Sequence, residues 1–103
     1  MTHKINVSQD YTRFPAGRYV SDGRFSGERF RNDFLIPALN KADKVEVVFD
    51  GTLGPGSSFL EEAFGGLLRA GFDPQDLAAR LVVSSSDESL VAEVRQYLGI
   101  SLH

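Results

Sequence analysis

The chain has no cysteine and no tryptophan, and its only two histidines, His3 and His103, lie at its ends. Without cysteine it can form no disulfide, no zinc–thiolate site and no thiol nucleophile. Histidines confined to the ends leave no internal imidazole to act as a general base. A net charge of -3 argues against broad nucleic-acid binding, which needs a basic face to neutralise phosphates. No apolar run approaches the roughly 20 residues that span a bilayer. No charged-then-apolar leader opens the chain, so a cytoplasmic protein without membrane attachment is the expectation. What is present is ordinary for a globular fold: 103 residues, 42% hydrophobic and 24% charged. That length makes a single domain over 1–103, and the eight phenylalanines suggest a core of Phe, Leu and Val.

The most informative stretch runs from Lys44 to Gly71. Val45, Val47, Val48 and Phe49 form a short apolar, β-branched run suited to an internal strand. A Gly-Pro-Gly turn follows. Phe59, Leu60, Ala63, Phe64, Leu67 and Leu68 then recur at helical spacing and line one apolar stripe. Ser58 and Glu61 stand in the S-x-x-E relation of a capping box, which satisfies orphan amides where a helix begins. Open α/β sheets place function at such strand-to-helix junctions, because the helix-terminal amides face outward there.

Upstream, Ile5 and Val7 alternate with Lys4, Asn6 and Ser8, as in a strand with one buried face. Pro15 and Gly17 break the chain before a short second strand expected around Arg18–Val20. Phe30, Phe34, Leu35, Ala38 and Leu39 give another helical stripe, capped by Ser26, with Pro37 expected to kink it. Downstream, Gly71 ends the central helix and Asp73-Pro74 opens a short one. Leu81, Val82 and Val83 read as a last core strand. Ser85 and Glu88 form a second capping box ahead of a helix that buries Leu90, Val91, Val94 and Leu98, with Gly99 as its C-cap. The expected fold is α/β: one four-stranded, mostly parallel mixed sheet with amphipathic helices packed on it. Val45, Val47, Phe49, Phe59, Phe64, Leu67, Val82 and Leu98 are expected in the core.

Two groups of residues carry candidate chemistry. Ser57 and Ser58 lie at the central helix start, followed by Glu61 and Glu62; Ser58 reads as the cap and Ser57 as the freer hydroxyl, open to a partner or a kinase. Arg18, Arg24, Glu28 and Arg31 belong to a basic N-terminal third, in which residues 1–31 carry six basic side chains against three acidic ones. Arginines before a helix can clamp a phosphate or carboxylate, or pair locally with Asp22 and Glu28. Asp50, Glu61 and Glu62 lack metal-ligand spacing, and Gly51, Gly54 and Gly56 match neither G-x-G-x-x-G nor a P-loop. No metal, cofactor or catalytic set is therefore expected.

A strand followed by paired serines at the start of an amphipathic helix resembles the STAS domain, named for sulfate transporters and anti-sigma-factor antagonists. The usual Asp-Ser-Ser-Gly turn is here Gly56-Ser57-Ser58-Phe59, without the aspartate and the final glycine. The chain is more similar to uncharacterised STAS-like bacterial domains. The resemblance rests on Pro15-Ala16-Gly17-Arg18-Tyr19, on the run from Phe25 to Arg31, and on the run from Ser57 to Gly65. It implies a regulatory, non-enzymatic module that binds a histidine-kinase-like ATPase or an anti-sigma-type partner, with Ser57 as phospho-acceptor. The alternative is a small-ligand or nucleotide sensor using the arginine-rich segment 18–31 and the helix start at Ser57–Ser58. A minor enzyme is the third reading, disfavoured for want of a base.

Overall fold

The computed structural model describes residues 1–99; His103 lies outside them. Three strands form an all-parallel sheet in the order β1 (Thr2–Asn6), β2 (Lys44–Val48), β3 (Leu81–Ser84). The expected fourth strand is absent from the described residues. Around Arg18–Val20, Tyr19 is extended, but Val20–Asp22 close into a 3-10 turn. The Asp22 carboxylate accepts from the amides of Arg18 and Tyr19, at 3.2 and 2.9 Å. A side chain therefore takes the donors a strand partner would need, as aspartate commonly does in turns.

Helix α1 covers 27–41, as Gly27–Phe30 and Ile36–Lys41 on either side of a π-turn at Arg31–Leu35. Ser26 caps it, its hydroxyl accepting from the Arg29 amide. The kink expected at Pro37 is taken up by this π-turn, one turn upstream, where the wider backbone relieves the crowding a proline imposes on the preceding carbonyls. Helix α2 covers 57–69 with a second π-turn at Glu61–Gly65. It ends in a Schellman motif: Gly71 has φ 102°, its amide donates to the Leu68 carbonyl, and the Phe72 amide donates to Leu67. Asp73 caps α3 (Pro74–Arg80), and Asp87 caps α4 (Glu88–Tyr97).

Strand periodicity decides which side chains are covered. Ile5, Val47 and Val83 lie in register, as do Val45 and Leu81, and this face meets the helices. Ile5, Val45, Val47 and Leu81 are buried there, together with Phe30, Phe49, Phe59, Phe64, Leu67 and Leu98. Val82 pairs with Glu46 and so belongs to the opposite, open face, where it is 53% exposed; its expected core place is not borne out. A continuous apolar run cannot say which of its alternating residues turns inward, whereas the register does. Near the first strand, half-buried Tyr11 donates its hydroxyl to the Ser26 carbonyl at 2.9 Å. Burial pushes its pKa up to about 12, so it remains a neutral donor tying the N-terminal segment to the α1 cap.

Candidate functional site

The start of α2 differs in detail from the expected capping box. Gly56 is the N-cap, Ser57 and Ser58 are the first two helical residues, and neither hydroxyl caps the helix. Both serines are exposed. Glu61 does not reach back to the helix start, because stronger partners hold it. Arg18 Nη1 donates to Glu61 Oε1 at 2.5 Å and Arg69 Nη1 donates to Glu61 Oε2 at 2.7 Å. Charge-assisted bonds of this kind outweigh a neutral amide contact.

Glu62 lies deeper, at 7% exposure. Arg31 Nη1 donates to its Oε2 at 2.6 Å and to its carbonyl oxygen at 2.7 Å, while Arg18 and Arg69 approach Glu62 Oε1 at 3.5 and 3.3 Å. Three arginines from three segments thus close around two adjacent carboxylates. Two glycines make room for this. A Cβ on Gly66 would lie 2.1 Å from Arg31 Nη1, and one on Gly65 would lie 2.4 Å from Glu61 Oε2. The arginine pairing holds the Glu61 carboxyl below its ordinary range, with Arg69 as the largest cause.

Of the second candidate group, then, Arg18 and Arg31 join the first group rather than standing apart as an anion clamp. Arg24 is exposed, and its carbonyl accepts from Arg29 Nη1 at 2.8 Å. Glu28 accepts from the Val20 amide at 3.0 Å, securing the 3-10 turn. The sequence reading missed Arg69, two helical turns beyond its partners: seven residues on is the same face as Glu62, and the π-turn between them helps bring it to Glu61 as well. It also missed Tyr97, on α4, whose hydroxyl donates to Glu93 Oε2 at 2.6 Å. The pKa of this phenol is raised, chiefly by the Glu93 bond.

Beside this helix start lies a cleft of about 220 Å³ at the C-terminal ends of β2 and β3, lined by Asp50, Thr52, Ser85, Ser86, Asp87 and Glu93 among others. Asp50 accepts from the Ser86 amide at 2.8 Å and from its hydroxyl at 3.0 Å, which lowers its pKa. Asp87, the α4 cap, accepts from the amides of Ser89 and Leu90. Ser85 was the expected cap; instead its hydroxyl accepts from the Asp87 amide at 3.0 Å. Among the described residues the lining carries three carboxylates and no cationic side chain, and no group of metal-ligating side chains is assembled.

The junction of β2 and α2, with the arginines that brace it, lies within residues 26–90 except for Arg18. Those residues match a family model described as a STAS-like domain of unknown function (DUF4325). The chain belongs to this family. Searches of curated proteins and of solved structures find no match. The match to this STAS-like domain starts at the α1 cap and stops inside α4, so β1 and the last turns of α4 lie beyond it. No helix among the described residues is long and apolar enough to cross a membrane.

Proposed function

We propose that this STAS-like domain is a non-enzymatic regulatory module that docks a protein partner, of the histidine-kinase-like ATPase or anti-sigma type, through the face around Ser57 and Ser58. The observation that carries this reading is the setting of the two serines. They are exposed at the start of α2, and apolar side chains are exposed on the loop that leads into it and on the loop that leads into α1, whose Arg18 pairs with Glu61. Phe14, Tyr19 and Val20 come from one loop and Leu53 from the other, and the loops are joined where the Leu53 amide donates to the Arg13 carbonyl at 2.8 Å. Isolated exposed apolar residues need no explanation, but several beside one helix terminus suit a protein interface with a polar rim.

Phosphorylation of Ser57 supplies the switch in this reading. A phosphate at the first helical residue is favoured by the helix dipole. Glu61 and Glu62 are already neutralised by arginines, so the repulsion they offer it is small. The test incubates the full chain with a histidine-kinase-like ATPase from the same cell and ATP, followed by mass spectrometry and binding measurements. Micromolar binding that Ser57→Asp weakens, with phosphate found on Ser57, is the expected result. Absence of binding, or equal binding by Ser57→Asp, overturns the reading.

A small-ligand sensor is the second reading, favoured by the cleft beside Asp50 and Ser86. Its carboxylate lining suits an amine or a hydroxylated compound better than a nucleotide phosphate.

A further inference from the structure

Among the described residues no strand pairs with the outer edge of β3, and the surface beside it is complementary to itself. The Ser84 carbonyl accepts from the Phe49 amide at 2.9 Å, so Ser84 and Val82 turn their main-chain groups towards β2. Val83, between them, turns its N–H and C=O outward. Edge strands are normally blunted by lysine, proline or a cover. The other edge, β1, carries Lys4, whereas β3 reads Leu-Val-Val-Ser. Along this edge runs an apolar groove of about 420 Å³, lined by Val83, Val91 and Ala92 and ending at Glu88 and Arg95.

Glu88 and Arg95 are both exposed on α4, two turns apart on one face, with Val91 and Ala92 between them. Among the described residues neither is in an ion pair. A helix bearing an acid at one end of a stripe and a base at the other matches a second copy of itself laid antiparallel. We propose that a second copy of this chain occupies the groove. The two β3 edges pair antiparallel about a two-fold axis near Val82–Val83, and each Glu88 faces Arg95 of the partner subunit. Four residues of strand are too short to hold a dimer on main-chain bonds alone, so the α4 contact supplies the apolar area and the charge pairs fix the register. The resulting sheet has six strands. This surface is distinct from the serine face and does not depend on its role.

Sedimentation equilibrium of the full chain over rising concentration tests the proposal. The wild type is expected to move from the 11.3 kDa monomer to twice that mass. Glu88→Arg and Arg95→Glu each set like charges across the axis and should weaken the dimer at least about tenfold. The double exchange restores opposite charges and should recover dimerisation, even though it places both residues unfavourably for the helix dipole and lowers the melting temperature. That recovery separates a lost interface from a damaged fold. A wild type that stays monomeric overturns the proposal, as does a dimer indifferent to both single variants. A monomer whose Val83 amide is protected only by an added foreign peptide overturns it too, assigning the edge to a different strand.

Discussion

The arginine-carboxylate cluster is where single side chains matter most. Glu62 is buried against Arg31, and breaking such a pair leaves a cation without its partner in a poorly hydrated place. Glu62→Ala should therefore lower stability by about 3 kcal/mol, read by denaturant titration. Gly27 makes a comparable demand on the backbone. A Cβ there would lie 2.4 Å from the Phe59 carbonyl oxygen, and a main-chain atom cannot swing aside as the end of an arginine can. Gly27→Ala should cost about 1–3 kcal/mol by pushing α1 off α2. Glu61 adds a pH dependence. Its folded pKa lies below its unfolded value, so its stabilisation is complete above the ordinary glutamate range, near about 4.3. It is lost as pH falls through and below that range. Glu61→Gln should flatten the fall in stability between neutral and acid pH, measured by thermal melts at stepped pH.

Among the elements, the helix termini show how local signals compete. S-x-x-E marks two capping boxes in the sequence, and the chain uses neither. At α2 the glutamate is drawn away by arginines from distant segments, and at α4 Asp87 stands closer to the helix than Ser85 and takes the cap. The Ser26 cap of α1 was legible because no other partner competes for it. Asp87→Ala should consequently cost about 1 kcal/mol, while Ser58→Ala should stay within about 0.5 kcal/mol of wild type. Paired melting curves check both values, and a large loss for Ser58→Ala would return it to a structural role.

On the scale of the whole molecule, one apolar layer joins the sheet to the helices. Phe64 is fully buried and packs on Phe49, with ring centroids 6.0 Å apart. Phe64→Ala should cost about 3–5 kcal/mol. The region shared with the family, residues 26–90, omits β1 and the buried Val94 and Leu98 of α4. Expressed alone, that region should lack a cooperative melt by circular dichroism, because Ile5 and Val7 no longer cover the core and β2 loses a partner along its full length.

The sequence alone determined the order of the main elements, the α/β class, the family and most of the core. Each rests on short-range periodicity: the stripes of α1, α2 and α4, the β-branched runs, and glycine at helix ends. It also marked Ser57, Ser58, Glu61, Glu62 and Arg18–Arg31 as residues of interest. Tertiary structure decided which of them meet. Arg69 stands two turns along α2 from Glu62, but Arg18 and Arg31 join it on Glu61 and Glu62 only once α1 and its preceding loop pack on α2. The loss of the fourth strand and the outward turn of Val82 were likewise settled by partners far along the chain. Asp22 took the amides a strand would have used, and the pairing of β3 with β2 fixed which valine faces the helices. Spacing along a chain specifies a face, but the strongest available partner in space specifies the contact.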